Sequence, residues 1–395
     1  LQSVNTVELI DSNRYWNDTA VELAPRLFVD RIEVPTYLAG GWQDEQTGGH
    51  FATMLDGFTG TEHFYASLTN GLHIDALGAA MLPRLIEFLD LYVAERTPSL
   101  ATARFLAPLV GTGLFGTSDL ALPAVDRFAG LTHADALAAF ESEPPIRVYF
   151  EHGAGGDTPL APVARYEAAF DAWPIPDAEA RRWFLNGDAG RLADAPLEVD
   201  PPTTYLALPD AVPPTWHDPE SGSVWSVDVE LDWQEGGAGT FAAFATEPLD
   251  EETIVIGSGS VDLWLQSNLG DTDVEVTISE IRPDGQELYV QSGWLRASQR
   301  ALDEDESTDV RPVHTQLEAD VDPLPEAVFD LVRVELHPFA HTFRAGSRIR
   351  LVVDAPGGNR PLWAFRSISG GEQVTIAHDD LCPSSLVLPV VPGGD

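Results

Sequence analysis

The chain has 395 residues, of which 44% are apolar, with 10 Trp and 18 Phe. That is enough for two or three domains with buried cores. Its formal net charge is -41 and all 22 basic residues are arginine, so the surface repels nucleic acid and anionic membranes, and both are excluded as partners. Such a surface fits either a generally acidic soluble protein or one adapted to high salt, where screening removes the self-repulsion. No apolar run reaches the roughly 20 residues that span a bilayer. The expected location is therefore soluble, cytoplasmic or secreted, with the compartment open.

The N-terminus, Leu1-Gln2-Ser3-Val4-Asn5, has no Met, no basic region and no apolar signal core. The expectation is that the chain begins inside a longer protein through truncation, processing or an incomplete reading frame. Arg31 to Gly40 reads as a buried strand that stops at a Gly pair, and His50 to Leu55 as the start of a helix. Glu62 to Leu68 reads as a second strand ending at Asn70-Gly71. Met81-Leu82, Leu85-Ile86, Phe88-Leu89 and Tyr92-Val93 then recur at helical spacing, predicting a long amphipathic helix. This alternation is the end of a doubly wound sheet. Residues 97–143 read as short helices and loops. Pro144-Pro145 precedes a strand over Ile146 to Phe150, and 153–223 is a Pro/Gly/Asp-rich lead-in holding single strands such as Arg182–Asn186.

From about residue 224 the pattern is all-β. Candidate strands are Val224–Leu231, Val261–Gln266, Val274–Ile281, Leu288–Leu295, Leu331–Leu336 and Ile349–Val353, with Arg282-Pro283-Asp284-Gly285 as a hairpin turn. Short strands at this spacing argue a jelly-roll β-sandwich. Asp303-Glu304-Asp305-Glu306 reads as a solvated loop. The expected division is 1–145 for the α/β part and 146–395 for the sandwich.

Asp44 and His73 follow the ends of the two N-terminal strands, where open α/β sheets gather catalytic groups. An acid that fixes the tautomer of a histidine is two-thirds of a serine-hydrolase triad, and acid before histidine is the α/β-hydrolase chain order. The alternatives are a loop-capping carboxylate and a turn histidine. Asp75 reads as a helix-start residue, and Trp42 either as a lining of an acyl pocket or as a core aromatic. Glu45 and Asp56 read as surface or hydrogen-bonding residues, and His50 and His63 have no partner that the sequence names. His337 and His341 have i, i+4 spacing, but Pro338 argues against a zinc-holding helix. Asp271 and Asp273 lack the Gly and Glu of a calcium loop. The single Cys382 forms no internal disulfide. No metal and no cofactor is expected.

The run Val34-Pro35-Thr36-Tyr37-Leu38-Ala39-Gly40-Gly41-Trp42-Gln43-Asp44 resembles the acid-bearing strand of the cocaine esterase / X-Pro dipeptidyl-peptidase (CocE/NonD-type) family, and Asn70-Gly71-Leu72-His73 is similar to its histidine segment. Ile281–Gly285, Gly293–Ser298 and His337–Leu351 are similar to runs of that family's C-terminal jelly-roll domain. The resemblance implies the C-terminal part of an α/β-hydrolase followed by a jelly-roll sandwich, with Asp44 and His73 catalytic. It also implies acyl transfer to water from a small ester or amide, or a short peptide.

The family's nucleophile elbow is not found. Gly257-Ser258-Gly259-Ser260 approaches the pattern but lies in the all-β region, Ser67 lies in a core strand, and Ser3 and Ser12 lack flanking glycines. Three expectations stay open. The chain is part of a serine hydrolase whose serine lies upstream and is inactive alone; or it is a non-catalytic β-sandwich binding module on a decayed hydrolase; or it is one subunit of a split enzyme. Self-association or a nucleophile-bearing N-terminal segment is the partner these readings imply.

Overall fold

The computed structural model describes residues 5, 8–9, 12–44, 47–115, 118, 120, 122–151, 163–187, 189–211, 235–357 and 366–392. The expected strand at Val224–Leu231 and the residues Ser3 and Glu45 lie outside these. Among the described residues no helix is long and apolar enough to cross a membrane.

The first sheet has four strands, β1 (Thr36–Gly41), β2 (Phe64–Thr69), β3 (Ile146–Phe150) and β4 (Tyr166–Phe170), in that spatial order. The pairs β1/β2 and β2/β3 are parallel, and β3/β4 is antiparallel. Strand β1 begins at Thr36, later than its apolar run suggests, because Val29–Arg31 turns as a 3₁₀ segment and Pro35 has no N–H to give a ladder. Strands β3 and β4 lie beyond residue 145 yet complete this sheet, so it runs across the 145/146 division read from the sequence.

Helix α1 (Asp18–Leu23) precedes the sheet, capped by the Asn17 side chain accepting from Ala20 N–H. The stretch after β1 is a 3₁₀ segment, Gly49–Gly57, where the sequence suggested an α-helix. Helix α2 (Leu82–Phe88) runs into a π turn at Leu89–Val93. Together they supply the apolar stripe read at 81–93, and Phe88, Leu91 and Tyr92 pack with Tyr65 and Phe140. Helix α3 (Ala101–Phe115) is longer than the short pieces expected there and carries Pro108 inside it. Helix α4 (His133–Glu141) is capped by Thr132, whose side chain accepts from Asp135 N–H.

The second sheet holds β5 (Glu179–Asn186), β6 (Arg191–Ala193), β7 (Thr203–Leu206), β8 (Ala242–Ala245), β9 (Thr253–Ser267), β10 (Asp273–Ile281), β11 (Glu287–Arg296), β12 (Asp330–Phe343), β13 (Arg348–Asp354), β14 (Gln373–Ala377) and β15 (Ser385–Val391). All its pairings but β6/β8 are antiparallel. Strands β10 and β11 form the hairpin read at 282–285, with Gly285 at φ 87°, a value that favours glycine. The sheet folds back so that β11 lies against β12: a Cβ on Gly293 would sit 1.7 Å from the Glu335 carbonyl oxygen. Alternating buried residues such as Val332, Val334 and Leu336 fill the interior.

One apolar core joins the two sheets. Trp42, Ala52, Leu55, Ile146, Val148 and Phe150 pack in the same cluster as Phe339, Phe343 and Val255. Ion pairs extend the seam: Glu151 at the end of β3 binds Arg165, Arg282 and Arg344, the last two from the β10 and β12 ends of the large sheet.

Candidate functional site

The parallel pairing of β1 and β2 sets Gly41 opposite Thr69, so both chains leave the sheet at the same level. Trp42 N–H donates to Thr69 O at 2.8 Å and prolongs the pairing by one residue. Asp44 then turns back, its N–H 3.3 Å from Gly41 O, while its Oδ1 accepts from Thr47 N–H at 2.9 Å. On the other strand Asn70-Gly71-Leu72 leads into a 3₁₀ turn, His73–Leu77. Asp75 Oδ2 accepts from Leu72 N–H at 2.7 Å, the helix-start role expected of it.

These two turns bring Asp44 Oδ2 within 2.7 Å of His73 Nδ1. An ionised carboxylate can only accept, so Nδ1 carries the proton and the ring is fixed in one tautomer. The carboxylate is buried, its side chain 9% exposed, whereas the imidazole is 38% exposed. An acid shielded from water and a base reachable from outside is the division of labour that a general base needs.

The spacing depends on glycine. A Cβ on Gly41 would meet Gly71 O at 2.2 Å, and one on Gly40 would meet the Phe51 ring at 2.3 Å. The large sheet braces the same loop. Gln43 Nε2 donates to Val290 O at 3.1 Å, and Gln291 Nε2 donates to Trp42 O at 3.2 Å.

Trp42 does not line an open pocket. It is 1% exposed and stacks between Phe51 and Trp173, with ring centroids 5.8 Å from each, so the structure places it as a core aromatic. His50 gains a partner invisible in the sequence, Glu335 Oε2 at 3.2 Å. Burial works to raise Glu335, but the hydrogen bond and charge of His50, with His337 and Arg311, hold its carboxyl below the usual range. His63 Nδ1 lies 3.3 Å from Tyr92 Oη.

His337 and His341 sit on a strand and face different neighbours. His337 packs near Trp294 and His50, and His341 Nε2 lies 3.1 Å from Glu280 Oε2. Asp273 pairs with Arg296, and Asp271 Oδ1 accepts from Thr272 and Ser298 N–H, so both acids serve the turn. Among the described residues no group of three His, Cys, Asp or Glu could hold a metal ion.

Among the described residues, the serines considered as nucleophiles are bonded elsewhere. Ser67 is buried in β2 and accepts from Tyr37 Oη–H at 2.7 Å. Ser258 donates to Glu335 Oε1 at 3.1 Å, a carboxylate rather than an imidazole. Ser12 donates to Glu8 O.

A family model described as the X-Pro dipeptidyl-peptidase C-terminal non-catalytic domain matches residues 138–364, more than half of the chain. The chain belongs to that family. Among curated proteins it is similar to the cocaine esterase of Rhodococcus sp. (strain MB1 Bresler), 24% identical over 245 residues, which is 55% of this chain and 39% of that protein. Among solved structures it resembles a CocE/NonD family hydrolase from Staphylococcus aureus (TM-score 0.67, 16% identity, 98% of this chain and 59% of that one). It also resembles an aminopeptidase from the marine sediment archaeon Thaumarchaeota archaeon (TM-score 0.65, 15% identity, 99% and 61%) and an α-amino acid ester hydrolase (TM-score 0.64, 17% identity, 98% and 61%). The kinship read from the sequence motifs stands, and these relatives are hydrolases with a sheet-rich mixed fold. This chain of the X-Pro dipeptidyl-peptidase C-terminal domain family spans about two-fifths of the cocaine esterase and about three-fifths of the structural relatives.

Proposed function

We propose that the chain carries the acid and base of a serine hydrolase acting on ester or amide bonds of a small molecule or short peptide. In this reading the four-stranded sheet is the C-terminal part of an α/β-hydrolase and the large sheet is a jelly-roll sandwich. The observation that carries it is the 2.7 Å contact between Asp44 Oδ2 and His73 Nδ1 at two adjacent strand tips. Asp44 holds the ring and stabilises the imidazolium. His73 Nε2 takes the proton of an attacking serine hydroxyl and returns it to the leaving group. The serine is not one of the described candidates bonded elsewhere in this chain. It arrives from an adjoining segment or a partner subunit and docks along β1, the edge strand of this sheet among the described residues.

The description of the matched domain as non-catalytic favours a second reading, a sandwich binding module on a hydrolase that has lost its chemistry. Hydrolysis of p-nitrophenyl acetate and an amino-acid p-nitroanilide separates the two. The chain alone should turn over neither. Expressed together with the coding sequence that adjoins residue 1, it should gain activity that His73→Ala abolishes and Asp44→Asn lowers by about four orders of magnitude, as for other triads. Silence in both preparations supports the binding module. Robust turnover by the chain alone, abolished by His73→Ala, overturns the assignment of the nucleophile to another segment.

A further inference from the structure

Three consecutive residues of the large sheet, Tyr289, Val290 and Gln291, lie at the contacts made by the residues just before Asp44 and His73. Val290 O accepts from Gln43. Gln291 Nε2 donates to Trp42 O, and also to Pro338 O, each at 3.2 Å. The Pro338 carbonyl is available because the β9/β12 ladder slips between Leu336 and Phe339, pushing His337-Pro338 out of register as a bulge. Gln291 Oε1 accepts from Tyr289 Oη–H at 3.2 Å and from Ser292 N–H at 3.0 Å. Both amide hydrogens and both lone pairs of this 3% exposed carboxamide are therefore engaged. On the histidine side, Leu72, next to His73, packs against the Tyr289/Val352 cluster.

The convergence is tight enough to exclude a methyl group. A Cβ on Gly49 would meet Pro338 O at 2.6 Å, Gln291 Nε2 at 2.9 Å and Trp42 O at 3.0 Å. A buried amide with every bond satisfied has one low-energy orientation, and it fixes the carbonyl two residues before the acid.

We infer that Gln291 is a positioning residue: from the large sheet it sets the backbone of the acid loop, and with Tyr289 it holds Asp44 and His73 at bonding distance. The inference rests on the acid–base reading above. A domain described as non-catalytic then contributes to catalysis without touching substrate. Loss of the carboxamide lets the Trp42–Asp44 turn move, and a bond of 2.7 Å does not survive a displacement of about 1 Å.

The test is the His73 Nδ1 proton resonance of the full 395-residue chain, recorded at low temperature and assigned by its loss in His73→Gln. Wild type should show a slowly exchanging signal downfield of the amide region, and Asp44→Asn should remove it. Gln291→Met should raise its exchange with water at least tenfold or abolish it, in a chain still folded by circular dichroism. Thr277→Val removes a different buried bond to the same strand, Thr277 Oγ1 to Ser292 Oγ at 2.8 Å, and should leave the signal unchanged. If Gln291→Met does not fold, Gln43→Met cuts the neighbouring bond to Val290 O and should also speed exchange. A signal as protected in the glutamine variant as in wild type overturns the positioning role while leaving the pair intact. A wild-type chain without any such signal overturns the pair and the inference together.

Discussion

Replacing Gly41 by alanine strikes the contact that sets the separation of the two strand tips. The added Cβ would lie 2.2 Å from Gly71 O and 2.9 Å from Gly71 C, whereas ordinary contact begins near 3.4 Å. The obstacle is backbone on both sides, so no rotamer change relieves it. The tips must part by about 1 Å, and overpacking of that kind costs about 1–3 kcal/mol. The loss should be largest at the ends of β1 and β2, where the added Cβ meets backbone. Hydrogen exchange read by mass spectrometry on peptides spanning 36–44 and 64–77 should therefore speed by about 5- to 150-fold, the same free energy expressed as a ratio. Peptides of β9 and β12, which exchange when both sheets open together, should speed by no more than the same factor. Gly71→Ala gives a graded comparison, since its Cβ would meet the flexible Asp75 carboxylate at 2.5 Å. Exchange in both strand-tip peptides within twofold of wild type would refute the idea that close glycine approach holds the pair.

Gly113 in α3 has open space where a Cβ would project, with no atom within 4 Å, so Gly113→Ala should stabilise the chain by about 0.5–1 kcal/mol in urea unfolding. Burial tends to raise Glu280, but His341 and the Arg344 N–H outweigh it and hold the carboxyl at about 2 against an ordinary 4.5. A depressed carboxyl contributes stability above pH 4.5 that is lost as pH falls towards 2. The contribution is about 3 kcal/mol at neutral pH, of which about 2 kcal/mol has gone by pH 3. Glu280→Gln should flatten the acid side of the stability profile by that order, and an unchanged profile refutes the assignment. Acids outnumber arginines 63 to 22, so screening should relieve more repulsion than it weakens ion pairs. The melting temperature should rise between 0.1 and 1 M NaCl, and a fall would show that the ion pairs dominate.

The meeting of Asp44 and His73 was legible because each follows an apolar run ending in small residues, which places both at the tips of neighbouring strands. The hairpin at 282–285 and the later strands were legible from alternation and turn residues. Gln291, Gln43 and Glu335 were not: their partners lie 249, 247 and 285 residues away, and no local pattern encodes such a pairing. Trp42 carried two readings because an aromatic beside an acid at a strand tip looks the same whether it faces a cavity or a core. It is buried and stacked on Trp173, a contact between the end of β1 and the turn beyond β4 that no local pattern encodes. The place of Ile146–Phe150 followed the same rule. Its strand character was local, but its membership in the first sheet came from pairing with β2.

The shared core bears on how the two sheets fold. Were they independent, the smaller would expose the apolar faces of β1 to β3 and the larger would expose Phe339 and Phe343. Contact between them buries both sets and adds the Glu151 ion pairs with Arg282 and Arg344 and the Gln291 node. Neither sheet therefore has a complete core alone, and the two should lose structure in a single step. Limited proteolysis under rising urea should cut near residue 100 and near residue 260 at the same denaturant concentration. Early cleavage confined to the N-terminal hundred residues, with the large sheet still resistant, would instead show that the seam contributes little and that the large sheet folds by itself.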